Sequence, residues 1–266
     1  MTWIEALILG LLQGLTEFLP VSSSGHLELG SVLFGLKNPE EYFTFNIFVH
    51  GATLLSVVVV FRHDIGGLIR NLVRFEWNAE TRFVLLLLAS AIPVGIVGLL
   101  FEDQVVALFQ GRTTLIGFML LITAALLMFT KIAPKNDKDI TLKSALLMGI
   151  AQTIAILPGI SRSGATISTA LYLGIERGKA IRFSFLMVLI PVFGANFLKI
   201  VRLSAGESLT LPETFPLLVG TLAAFLAGLA ACSWMLNIVR KGNIAWFAVY
   251  CLVIGLVAIF HGKLLI

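Results

Sequence analysis

The 266 residues predict an all-α polytopic membrane protein, with six transmembrane helices and two re-entrant helix-turn-helix pairs in an inverted-topology repeat. Three observations carry that prediction. The chain is 58% hydrophobic and 13% charged, where soluble domains run at roughly 25% charged residues. Its mean hydropathy is +0.98. Finally, one segment occurs twice, 139 residues apart: ALILGLLQGLTEFLPVSSSGHL at 6–27 and ALLMGIAQTIAILPGISRSGAT at 145–166. Ala6, Leu7, Gly10, Gln13, Ser22, Ser24 and Gly25 recur in register as Ala145, Leu146, Gly149, Gln152, Ser161, Ser163 and Gly164.

Taken in order, the apolar runs justify each element. Trp3–Leu19 is long enough to span, but it carries Gln13 and Glu17 and stops at Pro20. Leu27–Leu36 is only about ten residues, or ~15 Å of helix. Together they read as a pair that enters and leaves on one side. Leu142–Leu157 and Thr166–Ile175, around Pro158, read the same way. A spanning helix needs about 20 mostly apolar residues. Tyr42–Phe61, Phe83–Phe101, Thr114–Lys131, Ile181–Val201, Thr214–Val239 and Ile244–His261 meet that need. The whole chain, 1–266, is then one integral-membrane domain. Its halves, 1–132 and 141–266, are joined by the hinge Ala133–Thr141.

One re-entrant pair plus three spans per half leaves the second half inverted, and loop charges agree. Arg62, Arg70, Arg74, Arg82, Lys131, Lys135, Lys138, Lys143, Arg177, Lys179, Arg182, Arg240 and Lys241 fall on one side. Only Lys37, Arg112, Lys199, Arg202 and Lys263 fall on the other. Both termini are expected outside, and the polar turns of the two pairs are expected to meet near the midplane. Met1–Leu36 has no Lys or Arg, so the basic region of a secretory signal is missing and the first segment is expected to be retained. Cys232 and Cys251 lie in apolar runs and read as small buried hydrophobes. A net charge of +4 gives no sign of nucleic acid as a partner. The partner implied throughout is the lipid bilayer. The oligomeric state stays open, a homodimer being one assembly the chain allows.

Irregular backbone at membrane depth is tolerated only inside protein or beside a water-filled cavity, so the turns Ser22–Gly25 and Ser161–Gly164 mark a cavity. Gln13 and Glu17, four apart, share a helix face. A carboxylate at depth needs a cation, a metal or a donor, so Glu17 is a candidate functional residue. Ser22, Ser23 and Ser24 offer hydroxyls and N–H groups before a short helix, an anion site in form. His26 is the strongest single candidate for proton transfer or nucleophilic attack. Arg162, between Ser161 and Ser163, is costly at depth without an anion, and its fork matches phosphate oxygens. Ser161, Ser163 and Thr166 would complete a phosphate cradle. Asn46 and His50, four apart on the first span, either face the cavity or form a helix-packing hydrogen bond.

At these residues the chain resembles a known family. Gln13-Gly-Leu-Thr-Glu17-Phe-Leu-Pro-Val-Ser-Ser-Ser-Gly-His26 resembles the first signature of bacterial undecaprenyl-diphosphate phosphatases of the bacitracin-resistance type. Pro158-Gly-Ile-Ser-Arg-Ser-Gly-Ala-Thr166 resembles the second. The resemblance implies a hydrolase of the bacterial plasma membrane. It would convert undecaprenyl diphosphate to undecaprenyl phosphate plus inorganic phosphate, recycle the carrier for peptidoglycan, open its site to the outer face and depend on a divalent cation. Gln13 stands where many relatives have Glu, so one carboxylate serves here where others have two.

The expected roles follow. Arg162, Ser161 and Ser163 hold the diphosphate, with Ser22, Ser24 and Thr166 as further binding groups. Glu17 holds Mg²⁺ or Ca²⁺, with Gln13 as neutral support. Ser23 or His26 attacks phosphorus, or His26 activates water. The competing reading comes from another class. Inverted repeats with broken helices are also a transporter layout, and such a chain would flip a prenyl phosphate without cleaving it. An acid, a histidine and an arginine together favour hydrolysis.

Overall fold

The computed structural model describes residues 1–36, 38–74, 76–101, 104, 112–134, 137–204, 212–241 and 243–264. Lys37 and Lys135, two of the loop charges counted above, lie outside the described residues. The described residues form an all-α multi-pass membrane protein without strands; Lys138 and Ile175 make one isolated parallel bridge.

The first pair is α1 (Trp3–Phe18) and α2 (Ser23–Leu33). Then come α3 (Pro39–Val60), α4 (Arg62–Val73), α5 (Ala79–Leu100) and α6 (Thr113–Phe129). The second pair is α7 (Leu142–Ile154) and α8 (Arg162–Tyr172). The remainder is α9 (Arg177–Met187), α10 (Leu189–Ser204), α11 (Thr214–Arg240) and α12 (Trp246–Leu264). Five helical stretches among the described residues are long and apolar enough to cross a membrane: Glu41–Val60, Ala79–Leu100, Thr113–Ile132, Arg177–Ala195 and Thr214–Val239. The sixth expected span is α12, whose apolar stretch Trp246–Gly262 is slightly shorter than these.

Three local departures from the sequence reading have physical causes. First, α2 and α8 begin at Ser23 and Arg162, not at Leu27 and Thr166. Ser22 and Ser161 are N-caps, accepting from the N–H groups of Gly25 (3.3 Å) and Gly164 (3.0 Å), so the polar turn residues become first-turn helix residues. Second, the expected span Ile181–Val201 is two helices meeting at Val188. Pro191 has no N–H for the carbonyl of Met187, and its ring crowds that carbonyl. Third, α4 is an additional helix inside what reads as a charged loop. Its apolar residues Ile65, Leu68, Ile69 and Leu72 recur at helical spacing, with Leu68 buried.

Glycine lets the two re-entrant pairs dock by their backbones. A Cβ on Gly10 of α1 would overlap the carbonyl oxygen of Gly220 on α11. In register 139 residues on, a Cβ on Gly149 of α7 would overlap the carbonyl oxygen of Ser90 on α5. Such approach is how apolar helices associate where no water drives them together. Around these crossings Phe18, Phe61, Phe183 and Phe185 fill the core. Leu88, Ile92, Ile96 and Leu99 of α5 face outward, as they must in lipid. Cys232 and Cys251 are free and buried, as small core hydrophobes.

Candidate active site

The two polar turns meet. The N–H of Gly159 donates to Ser22 Oγ across the halves (3.1 Å), and Ser163 Oγ donates to the carbonyl of Leu19 (3.2 Å). A Cβ on Gly25 would lie 3.0 Å from Gly159 Cα, so both turns are glycine at their closest approach. Gly159 has φ +100°, a conformation glycine adopts freely. Thr123 of α6 secures the second turn: its Oγ1 donates to the carbonyl of Gly159 (3.0 Å) and accepts from the N–H of Ser161 (3.0 Å).

Glu17 is the centre of the arrangement. One carboxylate oxygen, Oε1, accepts from Arg162 Nη2 of the other turn. Oε2 accepts from Ser23 Oγ (2.6 Å) and from Gln13 Nε2 (3.0 Å). The Glu17 and Arg162 side chains are 10% and 17% exposed, so the pair is shielded yet reachable. Gln13 also donates to Thr53 Oγ1 (3.4 Å), while its own Oε1 is buried without a partner. His50 Nδ1 donates to the carbonyl of Asn46 (2.8 Å), leaving Nε2 directed to Glu17 Oε2 at 4.0 Å. Of the two readings weighed for Asn46 and His50, the histidine therefore faces the site while Asn46 contributes its backbone carbonyl.

The remaining expected site residues divide by accessibility. Ser23 and Ser24 are partly open, and Ser24 Oγ lies 3.4 Å from Ser22 Oγ. Ser22, Ser161, Ser163 and Thr166 are buried, with their hydroxyls engaged inside the protein. Thr166 Oγ1 meets Ser184 Oγ of α9 at 2.5 Å and the carbonyl of Arg162 at 2.9 Å, so it braces the start of α8. His26 is buried with both ring nitrogens occupied: Nδ1 by the carbonyl of Ser22 (2.8 Å), Nε2 by Tyr250 Oη (2.8 Å). Tyr250, Thr53, Thr123 and Ser184 are contacts the sequence reading missed. Tyr250 and Thr123 lie on largely apolar helices, whereas Thr53 shares α3 with Asn46 and His50, and Ser184 shares α9 with Arg177, Lys179 and Arg182, so polarity alone does not single them out.

Chemically, the turns offer a hydroxyl bonded to a carboxylate, a guanidinium from the opposite half and two helix N-termini, where free N–H groups favour an anion. A hard divalent cation fits this donor set. Mg²⁺ commonly takes one or two protein carboxylates plus substrate phosphates; Glu17 would supply one carboxylate and the orphaned Gln13 Oε1 a neutral amide oxygen. Among the described residues no three His, Cys, Asp or Glu side chains gather into a dedicated metal cluster.

Comparison with known proteins places the chain in a family. Residues 6–257 match the family described as bacitracin resistance protein BacA. The undecaprenyl-diphosphatase of Bacteroides fragilis is 49% identical, with the match covering 99% of this chain and 100% of the relative. That of Christiangramia forsetii is 51% identical over 96% of each chain. That of Salinibacter ruber is 41% identical over 96% of this chain and 97% of its own. With near-complete coverage at these identities, and with the matched region spanning both polar turns, this chain is a member of the bacitracin resistance protein BacA family.

Proposed function

We propose that this chain is a membrane phosphatase that hydrolyses undecaprenyl diphosphate to undecaprenyl phosphate and inorganic phosphate. The observation that carries the proposal is the convergence on Glu17 of the Ser23 hydroxyl and the Arg162 guanidinium. A nucleophile bonded to its base, facing an anion holder, is the minimal apparatus for phosphoryl transfer. The name shared by relatives 41–51% identical over nearly the whole chain supports it.

In this reading Arg162 turns its fork from Glu17 to the diphosphate when substrate arrives, aided by the N-terminus of α8. Glu17 takes the proton of Ser23 as Oγ attacks the terminal phosphorus. The Oγ–P bond forms while the bond to the bridging oxygen breaks, and that oxygen leaves on the lipid monophosphate with the proton handed on by Glu17. Water then attacks the phosphoserine, frees phosphate and restores the hydroxyl. Arg162 stabilises charge on the transferring group in both steps. A divalent cation held by Glu17 and Gln13 would neutralise phosphate charge when bound.

The site lies in the plasma membrane and opens to its outer face, the orientation that the loop charges support. The test is phosphate release from undecaprenyl diphosphate by the purified chain in detergent, beside Arg162→Ala and Glu17→Ala. Release by the wild type, lost in both variants, is expected. A folded wild type that binds the lipid and releases nothing would instead favour a lipid carrier.

A further inference from the structure

His26 carries the richest chemistry of the first turn, yet its surroundings give it a different task. Ser22 is the one non-glycine residue with positive φ among the described residues, at φ 70°. Non-glycine residues hold such conformations only when their surroundings over-determine them. Two groups of His26 hold this one. Its backbone N–H (3.2 Å) and its ring Nδ1 (2.8 Å) both point at the carbonyl of Ser22. A carbonyl can only accept, so Nδ1 carries the proton. Nε2 then presents a lone pair, which accepts from the Tyr250 hydroxyl (2.8 Å). The Tyr250 ring also stacks on the imidazole, with centroids 5.5 Å apart and planes at 12°. Held this way, Ser22 directs Oγ to two N–H groups at once, those of Gly25 in its own helix and Gly159 in the opposite turn.

We infer that His26 and Tyr250 act as a positioning pair: Tyr250, from the last helix, fixes the imidazole tautomer, the imidazole holds Ser22 in its strained conformation, and Ser22 locks the two turns so that Ser23 and Arg162 converge on Glu17. Neither ring nitrogen is free to attack phosphorus or take a proton from water. Tyr250, partly exposed, thereby becomes a determinant of activity 224 residues from the motif it supports.

The inference rests on the phosphatase reading for its kinetic arm only. Asparagine places an amide N–H where Nδ1 stands, and glutamine places one where Nε2 stands. His26→Asn should therefore stay within about threefold of wild-type kcat, while His26→Gln falls by about 100-fold, the scale of a small misplacement of reacting groups. Tyr250→Phe, which keeps the ring and removes the hydroxyl, should lose about tenfold in kcat with KM little changed. Amide exchange across residues 155–165, read by mass spectrometry, gives an arm independent of turnover. Exchange there should quicken in His26→Gln and Tyr250→Phe but not in His26→Asn. An Asn variant as inactive as the Gln variant, with both turns still protected, would return His26 to proton transfer and overturn the inference. So would a Tyr250→Phe protein that matches wild type in both arms. A wild type without phosphatase activity would sink the reaction assigned above, while the exchange pattern would still decide the brace.

Discussion

Deleting Arg162 should separate stability from catalysis. The Glu17 and Arg162 side chains are 10% and 17% exposed, so removing the guanidinium strands a carboxylate that water barely reaches. Two unit charges ~4 Å apart at an effective dielectric of ~20 attract by about 4 kcal/mol. Breaking a buried pair by removing one partner costs about 3–5 kcal/mol. Ser23 and Gln13 would still donate to the stranded carboxylate, which places Arg162→Ala near the lower end, at about 3 kcal/mol. Adding Glu17→Gln removes the stranded charge and should bring the double variant back to within about 1 kcal/mol of wild type. Activity follows another rule. Both Arg162→Ala and the double variant should lose at least about 10³-fold in kcat, the scale of a transition-state arginine. The assay is reversible unfolding in mixed micelles beside phosphate release. An Arg162→Ala protein as stable as wild type, or a double variant no more stable than the single, would refute the claim that the pair is electrostatically shielded.

Other outcomes follow from the same geometry. Ser23→Ala should lower kcat by at least about 10³-fold, and acid quenching of wild type with labelled substrate should trap phosphate on Ser23; label found elsewhere would exclude it as nucleophile. Gly10→Ala and Gly149→Ala should each cost about 2–3 kcal/mol or abolish folded yield, because the new methyl overlaps a carbonyl of the partner helix. Gly51→Ala, with nothing within 4 Å of the added Cβ, should be neutral or slightly stabilising in the same unfolding assay. Removing divalent cations with EDTA should abolish phosphate release, and Mg²⁺ or Ca²⁺ should restore it; unchanged turnover would exclude the cation. In the hinge, a hydrogen bond from the Ile140 N–H, helped by Lys179, holds the Asp139 carboxyl below its ordinary value. A lowered folded pKa adds stability that is present above the unfolded value and fades as pH falls through the folded one. Asp139 and Lys179 are 75% and 46% exposed, so Asp139→Asn should cost under about 0.5 kcal/mol at pH 7 and nothing at strongly acid pH.

Much of this molecule is legible in its sequence because lipid restricts the solutions. Apolar runs of spanning length can be little else but helices, and five of the six expected spans overlap observed ones, one of them broken at Val188, while the apolar stretch of α12 falls slightly short. That the polar turns meet was legible from the inverted repeat and the loop charges; that Glu17 and Arg162 pair directly was not, because a metal or a phosphate would satisfy either charge equally. The starts of α2 and α8 were not, since Ser-Ser-Ser-Gly reads equally as a turn or as a capped first helical turn, and only the Ser22 and Ser161 hydroxyl bonds decide between them. The Tyr250–His26 contact left no trace either, because one tyrosine in an apolar helix carries no register that points to a partner 224 residues away. Pro191 could have been read as a helix breaker, but the apolar run through it masks the break.

Ser23 and Arg162 stand at equivalent positions of the duplicated segment, 139 residues apart, and Glu17 is matched by Ile156. A chain with two identical halves would therefore present either two hydroxyls or two guanidiniums to the substrate, never one of each. Identical halves treat both ends of a phosphoanhydride alike, whereas cleavage requires one phosphorus to be attacked and the other to depart. In the proposed reaction, divergence of the copies is thus what gives the site a direction, and restoring symmetry with serine at position 162 should erase turnover at a stability cost like that of Arg162→Ala.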